Sequence, residues 1–158
     1  MKEKKYILFD LDGTLTDPKE GITKAVQYSL AHYGIEETDL DVLCPFIGPP
    51  LRDSYINFYG FSQAEAISVY REYFCREGWA QNKVYPGIPE LLGALKNAGK
   101  KLYVATSKPE PFAVQILEHF GLAGFFDGIG GADLEETRVR KGDVISYVRE
   151  RFGLLRDE

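Results

Sequence analysis

An α/β fold, with a parallel sheet, flanking helices and an all-helical insert after the first strand, is what the sequence predicts. Three observations carry that expectation. A short apolar run near the amino terminus ends in acidic residues, the stretch from Glu36 to Asn82 shows helical patterning with no convincing strand, and alternating strand and helix signals resume after Pro86-Gly87.

Taken in order, Tyr6 to Leu11, followed at once by Asp12-Gly13-Thr14, reads as a buried parallel strand ending in a loop. Ile22, Ala25, Val26, Leu30 and Tyr33 then form a helical stripe that Gly34 closes. Within the insert, helices are expected at Thr38 to Leu43, Leu51 to Phe58 and Ser62 to Gly78, separated by Pro45, by Gly48-Pro49-Pro50 and by Gly60. Ser62 and Glu65 stand at capping-box spacing before the last of these. Beyond the Pro86-Gly87 turn, the pattern predicts a helix from Pro89 to Ala98, a strand from Lys101 to Thr106 and a helix from Pro109 to Phe120. A strand from Phe125 to Ile129 and a helix from Gly142 to Phe152 complete it. The expected organisation is thus a discontinuous core, residues 1–15 and 83–158, around an insert at residues 16–82, which is too long for an ordinary loop.

Composition narrows the function classes. At 158 residues, 44% hydrophobic and 27% charged, the chain has the make-up of a globular protein, and no apolar run reaches the ~18 to 20 residues of a membrane span. A formal charge of -5, with basic residues scattered apart from Lys2, Lys4 and Lys5 and from Arg138, Arg140 and Lys141, argues against nucleic acid as a partner. Cys44 and Cys75 lie far apart in sequence without a CxxC or Cys/His cluster, and the amino terminus lacks the apolar segment and cleavage site of a signal peptide. A reducing cytoplasm is the expected compartment.

Candidate chemistry gathers at the carboxyl ends of the first and second core strands. In open α/β sheets the ligand crevice lies there, which puts Asp10, Asp12, Thr106 and Ser107 on one rim. Asp10 and Asp12 are two apart at a strand end, so strand alternation is expected to aim both at one region, with Leu11 turned into the core. The string Asp-Leu-Asp-Gly-Thr is demanding: a chance DxDGT in such a chain is an event on the order of a few per thousand.

Phe9-Asp10-Leu11-Asp12-Gly13-Thr14-Leu15-Thr16-Asp17 resembles the first motif of the haloacid dehalogenase superfamily of phosphohydrolases. Val104-Ala105-Thr106-Ser107-Lys108 is similar to the second motif, and Lys141 before Gly142-Asp143-Val144-Ile145 to the third. The helical insert resembles the cap of the branch that contains phosphoglycolate phosphatases, related nucleotidases and β-phosphoglucomutase. The resemblance implies a Rossmann-like parallel sheet with an inserted α-helical cap, and a Mg²⁺-dependent phosphatase of a small phosphorylated metabolite. It implies Asp10 as nucleophile, Asp12 as acid and base, and Mg²⁺ on an Asp10 side-chain oxygen and the Asp12 backbone carbonyl. The Thr106 hydroxyl, the Leu11 and Ser107 amides and Lys141 would then hold the phosphoryl oxygens.

The physical chemistry agrees with that transfer. Attack by a carboxylate gives an aspartyl-phosphate and divides one slow displacement into two easier steps. A carboxylate about 4 Å from one phosphate charge is repelled by about 4 kcal/mol at an effective dielectric near 20, so cations are needed. Lys108 competes with Lys141 as the phosphate lysine, since both follow polar strand ends. Arg52, after the Gly-Pro-Pro turn, is a candidate for a substrate's distal group, although a lone Arg at a helix start is more often solvated. His32 and His119 lack ligand-spaced partners, no GxSxG occurs, and Gly128-Ile129-Gly130-Gly131 reads as turn flexibility rather than a dinucleotide loop.

One departure from the family pattern shapes the expectations. A fourth acidic motif, usually GDxxxD after a further strand, is absent, and Gly142-Asp143 opens a helix with no strand before it. A core shortened at its carboxyl end is therefore expected, with the apolar first strand at a free edge and self-association through that edge. The alternatives are a phosphomutase on the same scaffold, a phospho-Asp signalling module and a catalytically impaired fragment.

Overall fold

The computed structural model describes residues 4–60, 64–135 and 137–154. The chain divides into two compact units, Met1–Thr16 with Val84–Glu158, and Asp17–Lys83.

In the first unit, β1 (Tyr6–Phe9), β4 (Lys101–Pro109) and β5 (Gly128–Ala132) form a parallel sheet in the order β1-β4-β5. Tyr6 stands opposite Lys101 and Phe9 opposite Val104, while Tyr103 to Ala105 run beside Gly128 to Gly130. This is the expected Rossmann-like arrangement: parallel neighbours need crossovers, helices α4 (Ile88–Asn97) and α5 (Glu110–His119) lie in the connecting stretches, and α6 (Lys141–Phe152) follows β5. One face of the sheet presents Tyr103 and Ala105 to Val144 and Val148 of α6, with Tyr6 and Leu8 packed alongside. Leu102 and Val104, which alternate with them, are fully buried, and α5 packs on β4 and β5 with Ala113, Ile116 and Leu117 buried. Among the described residues β1 pairs only with β4, and all four of its residues are half-buried.

The carboxyl-terminal strand differs from its expected position for a steric reason. Residues Ala123–Phe125 form a 3-10 turn, and β5 begins at Gly128. The glycines are strand residues rather than turn residues. A Cβ on Gly128 would lie 2.4 Å from the Phe152 ring, and one on Gly130 would lie 2.4 Å from Val148 Cγ2. A Cβ on Gly131 would come within 2.6 Å of the Lys108 carbonyl oxygen and 2.7 Å of Glu110 Cα. The run is glycine-rich because α6 and the end of β4 approach its backbone closely. β4 also continues past Thr106 to Pro109, with a register shift between Ala105 and Pro109.

The second unit is built around α1 (Lys19–His32), against which α3 (Ala64–Tyr73), a 3-10 segment (Leu40–Phe46) and a π turn (Phe74–Gly78) pack. Ala25, Val26 and Leu30 are fully buried, as the helical stripe requires. The expected Thr38 to Leu43 helix is instead the 3-10 segment, opened by Asp39 accepting from the Asp41 N–H and running through Pro45. α2 (Leu51–Tyr59) follows Pro50 and ends at Gly60, whose φ of 71° is the left-handed cap that glycine adopts readily. The expected Ser62 to Gly78 helix changes pitch after Tyr73, where the Trp79 N–H bonds to Phe74 O at 3.0 Å, five residues back. Ser62, and with it the expected capping box, lies outside the described residues. Two-residue strands β2 (Thr16–Asp17) and β3 (Lys83–Val84) pair where the chain crosses between units. No helix among the described residues is long and apolar enough to cross a membrane.

Candidate active site

β1 stops at Phe9, so Asp10 and Asp12 lie beyond the strand and not within its alternation as expected. A tight turn holds them. Leu11 O accepts from the N–H groups of Thr14, Leu15 and Thr16, and the Gly13 N–H donates to Thr16 O at 2.8 Å. Gly13 takes a φ of 76°, which a residue with a Cβ rarely adopts. Leu11 is fully buried, which anchors the turn between the two carboxylates.

Each carboxylate meets its own lysine. Lys141, the first residue of α6, places Nζ 2.6 Å from Asp10 Oδ2, and that Nζ also donates to Ala105 O at 3.1 Å. The other Asp10 oxygen accepts from the Leu11 N–H at 2.8 Å. Lys108, from β4, places Nζ 3.0 Å from Asp12 Oδ2. The two lysines, weighed as rivals for one role, thus occupy two different places in one site. Resemblance to the third motif favours Lys141 for the phosphate, but which carboxylate each lysine meets depends on how β4 and α6 approach the turn. Thr106 is buried in β4, and its Oγ1 accepts from the Lys108 N–H at 3.1 Å. Ser107 sits between them, half-buried. Arg52 belongs to the other unit, exposed on the first turn of α2.

The two carboxylates differ in setting. The Asp10 side chain is 32% exposed and that of Asp12 only 9%. Burial pushes the Asp12 carboxyl above the ordinary carboxylate range, while the Lys108 ammonium beside it pulls the other way. Asp12 Oδ1 is buried without a hydrogen-bond partner. A pair of carboxyls held in unlike environments is an arrangement suited to a nucleophile beside a proton carrier.

Among the described residues no group of three or more His, Cys, Asp or Glu is placed to hold a metal. Mg²⁺, however, is commonly held by one or two carboxylates together with substrate phosphate and water. The Asp10 carboxylate, 32% exposed, with the Asp12 backbone carbonyl two residues on, fits that kind of shared coordination.

The backbone next to Lys108 is packed tightly enough to test. Gly131→Ala must displace the Lys108–Glu110 backbone, since its Cβ would meet main-chain atoms and not a yielding side chain. A loss of about 1 to 3 kcal/mol in urea unfolding is expected. An unchanged midpoint would show that β5 does not press on this segment.

Known proteins resemble this chain in sequence and in fold. The sequence model of the family described as haloacid dehalogenase-like hydrolase matches residues 7–158. A 5'-nucleotidase of Pseudomonas aeruginosa is 51% identical over 151 residues, covering 94% of this chain and 68% of the nucleotidase. A tyrosine-protein kinase, PtkA of Mycobacterium tuberculosis, is 41% identical over 144 residues, covering 90% of this chain but 50% of the kinase. The crystal structure of a predicted phosphatase from Clostridium acetobutylicum superposes with a TM-score of 0.95 at 50% identity, covering 97% of this chain and 72% of that one.

Proposed function

Because the chain belongs to the haloacid dehalogenase-like hydrolase family, we propose that it is a Mg²⁺-dependent phosphatase of a small phosphorylated metabolite, working through an aspartyl-phosphate. The observation that carries this reading is the pair of acid-lysine contacts, Asp10 with Lys141 and Asp12 with Lys108, beside the Thr106 hydroxyl. The 5'-nucleotidase and the phosphatase among its relatives support a phosphate monoester as substrate, phosphoglycolate-like or nucleotide-like. A nucleotidase and a tyrosine kinase have phosphoryl transfer in common, the chemistry this site is equipped for.

In the first step Asp10 attacks phosphorus, the bond to the ester oxygen breaks, and Asp12 gives that oxygen a proton as it leaves. In the second, water attacks the aspartyl-phosphate, Asp12 takes a proton from it, and Asp10 departs as phosphate is released. Lys141 and the Leu11 N–H, which hold the Asp10 carboxylate in the free protein, are also the donors available to phosphoryl oxygens, together with the Ser107 N–H. Because Thr106 Oγ1 already accepts from the Lys108 N–H, its own proton is free for a phosphoryl oxygen. Bound Mg²⁺, on the Asp10 side chain and the Asp12 backbone carbonyl, would supply positive charge between carboxylate and phosphate. The substrate is a small molecule in this reading, with Arg52 a candidate contact to its distal group, and a reducing cytoplasm suits two free cysteines, Cys44 and Cys75.

The direct test is phosphate release from a set of phosphorylated metabolites with Mg²⁺, nucleoside 5'-monophosphates and 2-phosphoglycolate among them. A chain that hydrolyses none of them would sink the reading. Thr106→Ala is expected to lower kcat/KM by the equivalent of about 1 to 3 kcal/mol, one hydrogen bond to a charged group. Unchanged kinetics would move the phosphate site away from β4.

A further inference from the structure

We propose that Arg138 is the positioning residue that sets the reach of Lys141 to the Asp10 carboxylate. The proposal rests on the phosphatase reading above, in which Lys141 serves phosphoryl transfer, and adds to it a residue outside the two acid-lysine contacts. A lysine side chain is a flexible stem with a point charge at its tip, so where Nζ stands depends on how firmly its backbone is held. Lys141 is the first residue of α6, and that end of the helix lacks the usual fastening. Its N-cap is Arg140, whose side chain makes no capping hydrogen bond. Nζ nevertheless stands 2.6 Å from Asp10 Oδ2 and 3.1 Å from Ala105 O. Another group must fix the start of α6.

Arg138, a few residues before Lys141, is placed to do so. Its Nε donates to Gly131 O at 3.1 Å, near the end of β5, and its guanidinium carbon lies 3.6 Å from the centroid of the Tyr147 ring on α6. One side chain thus ties the strand before the loop to the helix after it. Both anchors are themselves held. The Gly131 N–H donates to Glu110 Oε2 at 3.2 Å, and the Tyr147 hydroxyl lies 2.9 Å from Arg151 Nη1, which also donates to Glu110 Oε1 at 2.8 Å. The backbone of Arg138 is fixed as well, since its N–H donates to Asp133 Oδ1 at 2.7 Å and the Thr137 N–H to Asp133 Oδ2 at 3.1 Å. The task suits arginine, because a planar guanidinium stacks on a ring and donates from its edge at the same time, which a compact ammonium does not.

A double-mutant cycle with Lys141 tests this, because a residue that acts through Lys141 has nothing left to act on once that amine is gone. With p-nitrophenyl phosphate and Mg²⁺, Arg138→Met is expected to lower kcat/KM about tenfold, the scale of a small misplacement of a group that meets the reacting atoms. In a Lys141→Met chain the same change is expected to cost about twofold or less. Equal losses in the two backgrounds would overturn the proposal, making Arg138 a substrate contact or a general brace of the fold. Tyr147→Phe keeps the ring and is expected to stay within about twofold of the parent, whereas Tyr147→Leu removes the ring and is expected to reproduce the Arg138→Met loss. The reverse order would also overturn it. A readout that needs no turnover is the ¹³Cε resonance of Lys141 in a chain labelled at lysine, identified by its loss in Lys141→Met. It is expected to shift in Arg138→Met with no substrate or metal present, and an unmoved resonance would sink the proposal. An unmutated chain that does not hydrolyse the ester would instead overturn the phosphatase reading, while the resonance would still decide whether Arg138 positions Lys141.

Discussion

Asp10→Asn is expected to lose hydrolysis of phosphate esters by about 10⁴-fold or more, the scale seen when a nucleophile is removed from a site that acts as a unit. The amide keeps the shape of the side chain and can still accept from the Leu11 N–H, which now bonds Asp10 Oδ1 at 2.8 Å. What disappears is the attacking carboxylate and its ion pair with Lys141. That pair is partly exposed, 41% for Lys141 and 32% for Asp10, so its loss costs about 1 kcal/mol of stability or less. The variant is therefore expected to unfold in urea close to the parent midpoint while forming no phosphoenzyme with labelled substrate. Hydrolysis at the parent rate would remove Asp10 from the mechanism, and a collapsed unfolding midpoint would assign it to the fold instead.

The largest effect on stability is expected from Gly21→Ala. By helix propensity alone the change inside α1 would stabilise by about 1 kcal/mol, because glycine is a poor helix former. Packing within the second unit reverses the sign. A Cβ at position 21 would stand 1.9 Å from the Gly78 carbonyl oxygen and 3.0 Å from that of Gln81, and the Gly21 N–H already donates to Gln81 O at 3.0 Å. These are main-chain atoms at the end of the π turn, so α1 and that turn must separate. A loss of about 3 kcal/mol in urea unfolding is expected, the upper end for overpacking. Lys24→Ala, on the solvent side of the same helix, is the control, with a change of about 0.5 kcal/mol or less. A stabilised Gly21→Ala would show that the contact between these backbones does not persist in solution.

How far each feature could be read in advance depends on how local its cause is. The α1 stripe and the Gly34 stop were legible because side chains three and four apart share a helix face whatever lies around them. The 3-10 segment through Pro45 was not, since Pro45 reads as a breaker and its tolerance depends on the surrounding turn geometry. The extent of β5 is not legible in the sequence because a strand rich in glycine has little side-chain patterning to announce it. Its glycines answer to Phe152 and Val148 on α6, which follow them in sequence by roughly twenty residues and adjoin them only in the fold.

By itself the sequence determined the α/β class, the interruption of the core by helices and the family, because periodicity and an uncommon string such as Asp-Leu-Asp-Gly-Thr are properties of neighbouring residues. Only the tertiary structure decided which lysine meets which carboxylate. Lys108 reaches Asp12 from β4 while Lys141 reaches Asp10 from α6, and nothing in the spacing of either lysine distinguishes these destinations. The physical reason is that an ion pair forms where folded segments bring charges within a few ångströms. That distance is set by the packing of the sheet and its helices, not by the residues on either side.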